Sequence, residues 1–212
     1  VSWLDASGHR GTTLVVVTSD HGEGLGDHGE DEHMLFVYDS TLKVPLVLSW
    51  PGGLPAGARV ALERVSGDVW VRGLSGMLEI NKVNGDLCLQ DIGTVQVGWV
   101  DGDVQAQNIN GPLQLHKVAG DVNALDCHGP LNVDAAGGDL QALDVSGPIS
   151  AKVGGDGRVS LLAGGHPVNL RCGGDVNLHI TNLQDALVSF ASGGRTIQIE
   201  MAGHEDEIEQ HT

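Results

Sequence analysis

Asp20 and His21 stand side by side just after an apolar run, with His28 and His33 a few residues further on. A carboxylate oxygen and an imidazole nitrogen are both ligands for a divalent cation. Neighbouring residues aim at one ion in a loop, whereas successive residues of a strand point to opposite faces. Two ligands alone do not make a tight site, since zinc takes four and calcium six or more. On spacing alone the loop reads equally well as a solvated, acidic, glycine-rich turn.

The elements around these residues follow from their neighbours. Residues 13–18 read TLVVVT, a continuous β-branched run that predicts a buried, parallel strand. Gly22, Gly24, Gly26 and Gly29 forbid a stable helix after it, so Asp20 and His21 fall in a loop at the carboxyl end of that strand. Ligand sites of open α/β sheets lie at such ends. Residues 42–49 (LKVPLVLS) predict a second strand, with Pro45 implying an edge or an irregular start. Trp50-Pro51-Gly52-Gly53 ends it.

The words TSDHGEGLGDHGEDEHMLFVYDSTLKVPLVLSWPGG resemble the late segment of the sulfatase branch of the alkaline phosphatase superfamily, over residues 12–60. The resemblance implies that Asp20 and His21 are adjacent metal ligands for calcium, manganese or zinc. It implies that His33 faces the sulfate or phosphate group, with His28 in the same loop on the substrate side. In that family the metal acts as a Lewis acid and helps activate a nucleophile on the ester. The family nucleophile is a Cys or Ser in a C/S-x-P-x-R context. This sequence has no counterpart: its cysteines sit in DLCLQ (Cys88), LDCHG (Cys127) and LRCGG (Cys172). The family's early acidic ligands have no match either. The expectation is therefore a truncated α/β sulfatase-like segment, inactive as this chain. The alternative is a fragment of a metal-dependent sulfatase or phosphatase whose nucleophile lies upstream or in a partner.

From Gly67 onward the chain changes character. Units such as GDVWVRGLS, GMLEINKVN, GDVQAQNIN, GPLQLHKVA, GDVNALDCH and GPLNVDAAG follow one template, G-x-Φ-x-Φ-x-x-Φ-x, with Φ apolar. The period-two alternation within each unit is a strand signature, and each glycine marks a sharp bend. Gly-Asp units alternate with Gly-Pro units or their substitutes. Asp68, Asp86, Asp103, Asp121 and Asp139 thus recur once per pair of units, as do Pro112, Pro130 and Pro148. Two strands and about 18 residues per coil account for both periods, giving a parallel β-solenoid whose coils bury their faces only against one another. Val69, Leu87, Val104, Val122 and Leu140 should form one interior column, with Trp70 and Gln105 pointing out. The fold class is mainly β: this solenoid, preceded by the α/β segment.

These Ser-Gly-Asp-Val repeats resemble bacterial adhesin-type domains of the DUF4097 kind, over residues 66–203. The resemblance implies a surface-associated domain with no assigned chemistry. The Asp ladder reads as turn capping, because Asp after Gly accepts from turn N–H groups. Calcium bridging of the stacked carboxylates is the alternative. Cys88, Cys127 and Cys172, without CxxC or zinc spacing, read as small apolar core residues. His116, His128 and His179 read as surface residues.

The formal net charge of -17, from 28 acidic and 11 basic side chains, excludes nucleic acid as a partner and disfavours anionic membrane surfaces. No apolar run approaches the ~20 residues that span a bilayer, so membrane insertion is not expected. Aromatic residues are 3% of the chain, so the core must be aliphatic. The domain reading is 1–60 sulfatase-like, 61–203 solenoid and 204–212 tail. The short N-terminal piece, too small to hold a core unaided, should dock on the open first coil or stay mobile. Expected partners are a cell-surface or protein ligand on the solenoid, and a sulfate or phosphate ester if the enzyme is completed. The location favoured is the cell envelope or outside the cytoplasm.

Overall fold

Each repeat unit becomes a strand because its apolar residues fall at the third, fifth and eighth positions. Strands β6 (Val104–Ile109), β7 (Leu113–Val118), β8 (Val122–Cys127), β9 (Leu131–Ala136) and β10 (Leu140–Val145) all bury their first, third and sixth residues. The computed structural model describes residues 2–19, 44, 46–49, 59–161, 166–181, 188–194, 196–201 and 204–209. Before β6 come β1 (Val15–Thr18), β2 (Leu46–Ser49), β3 (Arg59–Val65), β4 (Val69–Val83) and β5 (Leu87–Val100). After β10 come β11 (Ile149–Val153), β12 (Gly157–Leu161), β13 (Val168–Cys172) and β14 (Val176–Ile180). The chain closes with β15 (Val188–Ser192), β16 (Thr196–Met201) and β17 (His204–Glu209).

From β3 to β16 every pairing is parallel and joins each strand to its equivalent one coil away. The expected two-sheet parallel solenoid is the observed fold. The predicted column is present: Val69 faces Leu87, Leu87 faces Val104, and Val122 faces both Val104 and Leu140. A second column on the other sheet runs through Val95, Leu113, Leu131, Ile149 and Val168. Among the described residues the core is wholly apolar, and no polar or charged residue is buried in it. Trp70 and Gln105 point outward as expected. Cys127 and Cys172 are in the core, but Cys88 is not: it stands on the outer face between Trp70 and Gln105.

Two coils differ from the rest in a way the sequence explains. Each of β4 and β5 runs unbroken through a whole coil, whereas later coils break into two strands. The later corners carry Pro112, Pro130 and Pro148, which have no N–H to give to the ladder. At the same corner β4 has Gly76-Met77 and β5 has Gly93-Thr94. The strands therefore run on around the bend, with a shift of register between Leu74 and Met77. The prolines still accept: the N–H groups of Val95 and Leu113 donate to the carbonyls of Pro112 and Pro130 at 2.9 Å.

The N-terminal piece begins with a short helix (Ser2–Ala6) and a 3-10 turn (Arg10–Thr12). Its second strand, β2, docks on the first coil, parallel to β4 and in register, with Leu46 facing Val69. That is the capping arrangement expected of a piece too small to stand alone. β1 is different from its expectation: it pairs antiparallel with β2, and Val16 and Val17 are about half exposed. A buried parallel strand needs covering layers on both faces. No described helix lies over β1, so its β-branched run makes an exposed strand. β2 in turn is paired on both sides, by β1 and β4, rather than being an edge. At the other end, residues 204–209, read from sequence as tail, form β17, antiparallel to β16.

Candidate functional site

Asp20, His21, His28 and His33 lie outside the described residues. The strands that bracket them are described. Thr18, the last residue of β1, faces Leu46, the first of β2, so both ends of the intervening segment sit at the same end of one antiparallel ladder. That fixes where the segment is anchored.

The solenoid offers a second acidic assembly, the Asp ladder, and its geometry is complete. The N–H of Asp86 donates to Asp68 Oδ1 at 2.9 Å. The N–H groups of Asp103, Asp121, Asp139, Asp156 and Asp175 donate to the Oδ1 of the preceding Asp, each at 2.8 Å. Sequence separations of 17 and 18 give way to 19 at the last step. Each carboxylate thus caps the turn of the next coil. The glycine before each Asp is required by closeness: a Cβ at Gly120 or Gly138 would overlap the Oδ1 of Asp103 or Asp121. Among the described residues no three His, Cys, Asp or Glu side chains converge as metal donors. The chemistry this row performs is turn capping.

A second row is one that sequence reasoning missed. Asp91, Asn108, Asp126 and Asp144 hold φ between 54° and 58°, and Gly73 takes the equivalent place with φ 75°. This is the left-handed region, which Gly, Asn and Asp tolerate best. The signal was in the repeat: the seventh position of these Gly-Asp units is Gly, Asp, Asn, Asp and Asp in turn. In the Gly-Asp units the left-handed residue sits just before the inward eighth position; β7 and β9 of the Gly-Pro units bury the same position with ordinary backbone angles. The row also carries contacts: Asn108 Nδ2 donates to Asp91 Oδ1 at 2.7 Å, and Arg72 pairs with Asp91 at 3.5 Å.

The outer faces of the two sheets differ. On the Gly-Pro sheet, Gln114 Nε2 donates to Asp134 Oδ1 at 3.2 Å and His116 Nδ1 meets Asp134 Oδ2 at 2.7 Å. Trp99 is flanked by the ammonium groups of Lys82 and Lys117, 4.7 and 3.9 Å from its ring centre. On the Gly-Asp sheet a groove of about 390 Å³ runs along the solenoid axis from Cys88 to Leu143. Burial pushes the thiols of Cys88 and Cys172 up, and that of Cys127 up to about 11, so none is a ready nucleophile.

Residues 1–79 match the sulfatase family model. That span begins before β1 and ends inside β4, so it overlaps the first strands of the solenoid rather than stopping near residue 60. No curated protein and no solved structure matches the chain. The chain therefore carries a sulfatase-like N-terminal segment joined to a β-solenoid.

Proposed function

We propose that this chain is a β-solenoid binding scaffold of adhesin type whose sulfatase-like segment serves as its cap and does not hydrolyse esters by itself. One observation carries the reading: β2 is the first layer of the solenoid, with Leu46, Val47, Leu48 and Ser49 in parallel register with Val69, Trp70, Val71 and Arg72. The strand that follows the Asp20–His33 segment is thus built into the repeat, and β1, which precedes that segment, pairs antiparallel with it. The sequence also lacks the C/S-x-P-x-R nucleophile, without which this class of ester hydrolysis has no covalent step. The outward faces of the repeat, periodic and mostly polar, are suited to a cell-surface or protein partner, at the envelope or outside the cytoplasm. Asp20 and His21, with calcium, manganese or zinc, belong to the second reading, a hydrolase completed by residues beyond this chain. The family match over residues 1–79 favours keeping it.

The test is turnover of p-nitrophenyl sulfate and p-nitrophenyl phosphate by the purified chain, with each of the three metals added. No turnover is expected, and titration calorimetry should find no sub-micromolar metal site. Turnover that Asp20→Ala abolishes would establish the hydrolase.

A further inference from the structure

We propose that the groove on the Gly-Asp sheet binds an extended, neutral oligosaccharide lying along the solenoid axis. This deepens the binding-scaffold reading and rests on it.

The shape comes from the core. The fifth position of each Gly-Asp unit points inward, and it is Val71, Leu89, then Ala106, Ala124 and Ala142, then Val159. The three alanines face one another in consecutive coils. Ala106 and Ala124 line the groove, next to the larger Leu89. The left-handed residues Asn108, Asp126 and Asp144 turn the strands along one margin of the hollow.

The lining names the ligand class. Gln105, Asn123 and Gln141 stack along one wall, in register from coil to coil. Gln90 and Gln107 stand on the other, continued by the half-buried Leu125 and Leu143. The five amides each present a donor and an acceptor. None makes a side-chain hydrogen bond to another described residue, unlike Gln114 or Asn177 elsewhere on the solenoid. The lining holds no carboxylate and no cation, and the Cys88 thiol stays protonated. On a chain of net charge -17, with aspartate rows on both sides, an anionic ligand is repelled from this strip. A hydroxyl-rich neutral chain matches the amides, and its apolar ring faces match the leucines. Trp70 heads the amide column, in register with Cys88 and 40% exposed, and offers a flat surface on which a sugar ring can stack. An extended peptide is the weaker fit. Strand addition needs a free sheet edge, and here every strand of the groove is paired on both sides.

The experiment uses the full chain with cellohexaose, maltohexaose, laminarihexaose and chitohexaose at millimolar concentration, read by calorimetry and tryptophan fluorescence. A heparin hexasaccharide and an uncharged extended peptide are the comparison ligands. At least one neutral hexasaccharide should bind one-to-one. The double variant Gln105→Ala/Asn123→Ala should lose at least about tenfold in affinity, and Trp70→Ala should weaken binding and remove the fluorescence change. Gln96→Ala, on the opposite sheet, should leave affinity unchanged, and the urea midpoint checks that each variant folds. Binding of none of the four, preference for heparin or the peptide, or affinity indifferent to the double variant would each overturn the proposal. Aryl sulfate turnover reads the scaffold assignment separately: a chain that neither turns over esters nor binds these sugars keeps its scaffold reading and loses the groove.

Discussion

The backbone N–H of Asp121 donates to the Oδ1 of Asp103 at 2.8 Å, across one coil of the solenoid. Asp103→Ala strips that N–H of its acceptor and should lower stability by about 1 kcal/mol. Asp103→Asn should lose less, because it keeps an oxygen and removes one of several stacked like charges. Urea midpoints of the two variants make the comparison. Equal losses would show that charge, rather than the acceptor, matters at this corner.

Because each ladder carboxylate already spends one oxygen on a backbone N–H, the row needs no bridging ion to hold its shape. Melting temperature should be the same in EDTA and in millimolar calcium. A calcium-dependent rise, lost in Asp121→Asn, would establish calcium bridging of the ladder instead.

The left-handed turn at Asp126, φ 54°, makes a clean backbone test. Asp126→Gly should leave stability within about 0.5 kcal/mol, since glycine adopts this conformation without steric cost and loses mainly chain entropy. Asp126→Val should cost roughly 1–2 kcal/mol, the penalty of a left-handed conformation for a β-branched residue. Thermal melts of the pair decide it; similar behaviour of the two would mean the turn relaxes out of the left-handed region.

The cysteines separate by position. In the native protein a thiol reagent should label Cys88, half-exposed, and spare Cys127 and Cys172 until urea is added. Desolvation raises the Cys127 thiol from its ordinary 9.0 to about 11. Between those two values the unfolded chain has lost a proton that the folded chain keeps. Stability from this group is therefore complete below pH 9.0 and falls as pH rises toward 11, by about 1.4 kcal/mol for each pH step of one across that window. Cys127→Ser removes the thiol, so this part of the alkaline loss should vanish in urea titrations across that range.

The repeat was legible because it is local. Each coil pairs with a near-copy of itself, so Gly-x-Φ-x-Φ states at once which side chains of Val104 or Leu113 turn inward and which coil they meet. The Asp corners were legible for the same reason, since Asp86 needs only the turn one coil on. The seventh-position row went unread because period-two alternation hides a left-handed residue. Its identity as Gly, Asn or Asp was visible, but without dihedral angles it looked like ordinary polar surface.

For the first sixty residues, the sequence by itself determined two apolar runs that become strands. Only the tertiary structure decided where those strands go. A β-branched run such as Val15–Thr18 will pair with whatever edge is free, and sterics within the run do not distinguish parallel from antiparallel. Here the free edge belonged to the solenoid: Leu46 found Val69, and β1 followed on the outside, antiparallel and uncovered. The groove depended on tertiary packing too. Ala106, Ala124 and Ala142 read in sequence as adequate core residues. Their stacking in three consecutive coils exists only once the coils are in register.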